Sequence, residues 1–157
     1  MKKVGAGGNW KRIDEQFDAG IVKQTSGLSC VSAIGEMLLK RRGISLSQAR
    51  ILDIIGEPAS IGDLAETLNE FDISEGGKQW HGVIVDQRNL SAVLRTENLA
   101  VILREAFEMG HAVLIDGRTK NGLIKIKDPF DQTAYKMTVE DFLESWDGEV
   151  IFYGRIK

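Results

Sequence analysis

Up to Phe71 the apolar residues of this chain recur at helical spacing, and beyond the Gly76-Gly77 pair they mostly alternate. That switch restricts the fold more than any single motif, because faces of period 3.6 and period 2 bury different surfaces. Before it, Val31, Ile34, Met37 and Leu38 predict a helix with Ser29 as N-cap and Gly43 as its stop. Ser47 to Ile55 predicts a second helix, closed by Gly56 and Pro58. Ser60-Ile61-Gly62-Asp63 resembles a capping box, followed by a buried stripe of Ile61, Leu64, Leu68 and Phe71. Nearer the N-terminus, Asn9 is placed to cap a short helix carrying Trp10, Ile13 and Phe17. After the switch, strands are predicted at Trp80–Asp86, His111–Asp116, Leu123–Asp128, Ala134–Met137 and Val150–Ile156. Two helices interrupt them: one from Asn98 with Leu99, Ile102, Ala106 and Phe107 inward, and one from Thr138 through Trp146. A helical half followed by an antiparallel sheet half is α+β. The expectation is one domain over residues 9–157 behind a flexible, glycine-rich lead-in at 1–8.

Composition removes several function classes. A single cysteine forms no internal disulfide, and with two histidines, His81 and His111, no zinc-finger spacing exists. No cofactor is expected. A net charge of −3 supplies no global basic field for nucleic acid. No apolar run approaches membrane-spanning length and no signal peptide is visible, so the free thiol is expected in the cytoplasm, a reducing compartment. Gly5-Ala6-Gly7-Gly8 lacks the Lys-Ser/Thr that completes a phosphate loop.

The lone thiol, Cys30, falls where the first helix begins. Unpaired N–H groups at a helix N-terminus favour a thiolate, and a neighbouring imidazolium favours it further. His111 opens an apolar strand and is a candidate general base; His81, beside Trp80, is its rival. Asp128 ends the next strand, just before Pro129. If position 117 faces 122 across the hairpin, His111 faces Asp128 and the carboxylate can orient the imidazole. A tight Asn121-Gly122 turn would instead place Ile115 opposite Asp128. Gln24, six residues before Cys30, is a candidate oxyanion donor together with the Cys30 N–H. Each residue also has a bland alternative: a buried structural cysteine, a core histidine, a turn aspartate, a loop glutamine.

The order Gln24, Cys30 at a helix start, His111, then Asp128-Pro129 seventeen residues later resembles the papain-like cysteine peptidases. The resemblance is to the bacterial branch that trims double-glycine leaders from bacteriocins, over roughly residues 20–154, and includes Glu140-Asp141-Phe142 and Trp146-Asp147-Gly148. It implies a papain-like fold, an N-terminal helical lobe packed on a C-terminal antiparallel sheet lobe. It implies Cys30 as nucleophile, His111 as base and acid, Asp128 as orienter and Gln24 as oxyanion donor. Ser29-Cys30-Val31 stands where the leader peptidases usually carry Asp-Cys-Gly. A short domain behind a flexible tether also resembles the effector domains of bacterial polymorphic or contact-dependent toxins, which are made with an immunity protein.

The favoured expectation is therefore a cysteine hydrolase, peptidase or glutamine amidase, acting as a toxin domain on a target-cell protein. It would reach that cytoplasm as part of a larger secreted protein. The alternatives are a ribonuclease toxin on the same fold, with nucleic acid as its substrate, and leader-peptide processing or a non-catalytic peptide-binding module.

Overall fold

A computed structural model describes residues 10–73, 75–96, 98–104 and 110–155. The lead-in at 1–8, the expected cap Asn9, and Ala106, Phe107 and Ile156 lie outside the described residues. The elements run β1 (Ile13–Phe17), α1 (Cys30–Arg41), α2 (Gln48–Ile55), α3 (Ile61–Phe71), β2 (Gln79–Ile84), α4 (Leu90–Leu94), β3 (Leu99–Leu103), β4 (His111–Arg118), β5 (Ile124–Asp128), β6 (Thr133–Met137), α5 (Val139–Ser145) and β7 (Trp146–Gly154). The seven strands form one sheet in the order β1-β6-β5-β4-β3-β7-β2, with every neighbouring pair antiparallel. The architecture is α+β and papain-like, as expected.

The helical half folds as its patterning dictates. Ser60 and Asp63 form a complete capping box, each side chain bonded to the other's backbone N–H. Ser47 caps α2 through the Arg50 N–H, and Gly43, at φ +79°, follows the end of α1. Helices α1, α2 and α3 cross closely at Gly35, where an added Cβ would come within 2.7 Å of a Leu64 methyl. These helices cover one face of the sheet through Val31, Ile34, Leu38, Ile51, Leu64 and Leu68 against Ala100, Ile102, Ala112 and Leu114. On the other face, Val101, Val113, Ile115, Ile124, Ile126 and Tyr135 meet Leu90, Phe142, Trp146 and Trp10.

Two expected helices are strands instead. Leu99–Leu103 is an inner strand, buried at every position. A strand covered on both faces reads as a continuous apolar run, so periodicity could not tell it from a buried helix. Asn98, expected as a cap, has φ +56° and turns the chain into this strand. Ile13–Phe17 is an edge strand on β6, not a helix, and Phe17 at 69% exposure packs against little. The last strand begins at Trp146, earlier than expected, so α5 stops at Ser145.

Candidate active site

Cys30 is the first residue of α1, and the loop before it is pinned from several sides. The Gln24 N–H donates to the Pro129 carbonyl (2.9 Å), which ties this loop to the turn after β5. Gln48 of α2 accepts from the Thr25 N–H (3.2 Å) and donates to the Lys23 carbonyl (2.5 Å). Ser26 Oγ reaches the Glu57 carboxylate, and the Ser26 N–H donates to Ser29 Oγ (3.0 Å). Ser29 precedes the helix as expected, but its hydroxyl serves this loop rather than capping α1.

His111 opens β4 and Asp128 closes β5, and the register between the strands decides whether they meet. Leu114 faces Lys127 and Ile115 faces Ile126, yet Arg118 faces Ile124. Three residues of β4 thus span two of β5, a one-residue bulge that contains Gly117 at φ +89°. Carried down without the bulge, the Arg118–Ile124 register would set Asp128 opposite Leu114, and His111 would project from the other face. With it, Asp128 falls opposite Val113, two residues from His111 and on the same face. The expected register of 111 opposite 128 is displaced by two, which keeps the face and leaves the pair as diagonal neighbours.

The side chains close that diagonal. His111 Nε2 donates to Asp128 Oδ1 at 2.6 Å, with both residues completely buried. Asp128 Oδ1 also accepts from the Phe130 N–H (2.9 Å), and Oδ2 accepts from the Tyr135 hydroxyl (2.7 Å). Tyr135 in turn accepts from Trp10 Nε1 (2.8 Å), and the Trp10 indole stacks on the His111 ring with centroids 6.0 Å apart and 24° between planes. The contacts therefore form a closed circuit: imidazole, carboxylate, phenol, indole, imidazole. Arg12 adds a positive charge 3.9 Å from Asp128 Oδ2 and lies over the Tyr135 ring, and the Phe130 ring meets His111 edge-on at 6.0 Å.

The electrostatics follow from this packing. Burial alone would lower the pKa of His111, but the Asp128 hydrogen bond, then Cys30, then the Asp128 charge outweigh it and lift it to about 9. Burial alone would raise Asp128, but the His111 hydrogen bond and charge, with the Phe130 N–H and the Tyr135 hydroxyl, hold it below the usual carboxylate range. The pair is thus an imidazolium and a carboxylate at neutral pH. Tyr135, buried beside that carboxylate, is pushed well above its ordinary value and stays a phenol. His111 Nδ1, the nitrogen not used by Asp128, makes no hydrogen bond within ordinary limits, although Cys30 lies near enough to favour the imidazolium.

Cys30, His111 and Asp128 are therefore gathered at one place. Gln24 is buried beside it, but its amide Nε2 donates to the Ser26 carbonyl (2.8 Å) and its Oε1 has no partner. His81 sits on β2, at the other end of the sheet, with its ring nitrogen on the Gly154 carbonyl (3.0 Å) and its face on Phe152. Sequence reasoning missed Tyr135, Trp10 and Arg12. The one available signal was Tyr135 on an inward-facing strand position, where a buried hydroxyl must find a partner. Among the described residues, no helix is long and apolar enough to cross a membrane.

Comparison with known proteins finds relatives in sequence and in fold. The model of the Peptidase C39 family matches residues 18–155. Cysteine protease effector 1 of Escherichia coli O1:K1:H7 is 35% identical over 150 residues, covering 94% of this chain but 29% of that protein. The chain thus spans under a third of the length of this relative. Among solved structures, the peptidase domain of Streptococcus ComA, a bifunctional ABC transporter, superposes with a TM-score of 0.68 at 17% identity over 86% of this chain and 97% of that one. A double glycine motif protease from an AMS/PCAT transporter, in complex with a leader peptide, gives 0.67 at 16% identity over 99% and 100%.

Proposed function

Because the chain belongs to the Peptidase C39 family of papain-like cysteine peptidases, we propose that Cys30 is the nucleophile of a peptidase whose base is His111. The observation that carries this reading is the buried His111–Asp128 bond at 2.6 Å, with the free nitrogen of the same imidazole under the influence of the Cys30 thiol. His111, already an imidazolium, holds the proton of the pair, and the Cys30 sulfur attacks the carbonyl carbon of a peptide bond as a thiolate. His111 then gives that proton to the leaving amine, and water, deprotonated by the same imidazole, releases the acyl group from sulfur. Asp128 orients the ring and stabilises its cation. The unpaired N–H of Cys30 at the start of α1 supplies one oxyanion donor. Gln24 supplies the second once its amide turns from the Ser26 carbonyl or uses its other hydrogen.

The substrate is a protein or peptide. The relative named as a cysteine protease effector supports action on a protein of another cell. The neighbour named as a double glycine motif protease supports a glycine pair at the bond cut. A producing cell would then hold an immunity protein against this site, detectable by co-purification.

Cys30→Ala, or alkylation of wild type by iodoacetamide, is expected to lower cleavage of a Gly-Gly reporter peptide by at least about 10³-fold while the circular dichroism spectrum is kept. Full activity in Cys30→Ala would reject the assignment.

A further inference from the structure

Gln48 bonds to neither His111 nor Asp128, yet its side chain grips both peptide groups that flank the Cα of Gln24. Its Nε2 donates to the Lys23 carbonyl (2.5 Å), which belongs to the peptide before Gln24. Its Oε1 accepts from the Thr25 N–H (3.2 Å), which belongs to the peptide after it. Two planar peptides joined at one Cα differ only by φ and ψ, so one amide that holds both fixes the direction in which the Gln24 side chain leaves the backbone. The first of these peptides is held a second time, by the Gln24 N–H on the Pro129 carbonyl (2.9 Å). Pro129 directly follows Asp128, so the loop is also set against the carboxylate that orients the base.

Gln48 is itself anchored. It is the first residue of α2 and is 8% exposed. Its N–H, which no carbonyl of its own helix can reach, donates to Glu36 Oε1 (2.6 Å). Glu36 lies on α1, the helix that Cys30 begins. One line of contacts therefore runs from the helix of the thiol through Glu36 and Gln48 to the backbone of Gln24, and on to the turn after Asp128.

Resting on the peptidase reading above, we propose that Gln48 is a positioning residue of this reaction: it holds the backbone at Gln24 so that the Gln24 amide meets the oxyanion formed on the substrate carbonyl. Gln48 acts only through Gln24 and exchanges no proton. Its contribution appears as charge develops on that oxygen and is absent from the bound ground state. The His111–Asp128 bond is made between β4 and β5 without it.

The test is steady-state cleavage of the Gly-Gly reporter peptide by wild type, Gln48→Met, Gln24→Ala and the double variant, with the rate of Cys30 alkylation by iodoacetamide measured on each. Methionine keeps much of the length and bulk of glutamine and removes both hydrogen bonds. Alkylation needs the thiolate but builds no oxyanion, so it reports the thiol–imidazole pair alone. Gln48→Met is expected to lower kcat by about 10²-fold, with KM little changed, and to be alkylated at the wild-type rate. In the Gln24→Ala background no amide is left to aim, and the same substitution is expected to cost little more. A wild-type kcat in Gln48→Met, or an equal loss with and without Gln24, overturns the proposal and leaves the peptidase reading standing. So does alkylation that falls in step with cleavage, which a general loosening of the site would produce. Wild type that cuts no peptide, or Cys30→Ala that cuts as well as wild type, overturns the peptidase reading and this proposal with it.

Discussion

Asp128→Asn replaces the carboxylate by a group of the same shape and removes its charge. The consequence can be worked from the two states of His111. In the folded protein its pKa is about 9, whereas an unfolded histidine titrates near about 6.5. A group whose pKa is raised on folding stabilises the fold below its unfolded value, and that stability is lost as pH rises through the folded one. The His111 contribution is therefore complete below about pH 6.5 and gone above about pH 9, and a shift of this size corresponds to roughly 3 kcal/mol. Asp128 is lowered, so its own contribution is present above its usual range and is lost only as pH falls through the depressed value. In Asp128→Asn burial acts without a counter-charge, and His111 should titrate below its ordinary value. Urea denaturation at pH 6 and pH 9.5 measures the difference. Wild type should lose roughly 3 kcal/mol between these conditions beyond what Asp128→Asn loses. Imidazole NMR titration, with His81→Gln to assign the two rings, should show His111 charged up to about pH 9 in wild type. Equal pH dependence in both proteins, or a wild-type His111 neutral at pH 7, would refute the electrostatic account.

Tyr135→Phe removes the hydroxyl that bonds both Asp128 Oδ2 and Trp10 Nε1; thermal denaturation should show a loss of about 1–3 kcal/mol, and steady-state kinetics should show kcat falling more than KM rises. Gly117→Val puts a β-branched residue at φ +89°, costing about 1–2 kcal/mol of backbone strain. If the bulge instead relaxes into continuous pairing, His111 leaves the face of Asp128; the variant should then be folded by circular dichroism yet inert toward iodoacetamide-sensitive cleavage, whereas full activity would show that the bulge does not set the site.

How much of the molecule can be read without coordinates depends on the range of the interactions. Ser60 and Asp63 are three residues apart, and Cys30 follows a break directly into an apolar stripe, so the helical half and the placing of the thiol at a helix start depend on neighbours along the chain. The same holds for the residue types of the site: a lone thiol, a histidine opening a strand and an aspartate closing the next were all visible as chemistry in search of geometry. The strand at Leu99–Leu103 was not, because burial on both faces erases the alternation that marks a strand. Nor was the circuit of Trp10, Tyr135, Asp128 and His111, whose members come from opposite ends of the chain and meet only when β1, β6, β5 and β4 pair. Patterning along the chain marked the candidate groups and the helix that carries Cys30. Which face His111 and Asp128 share was decided by one extra residue in a strand pairing, a choice that costs little locally and is settled only when both faces of the sheet are covered.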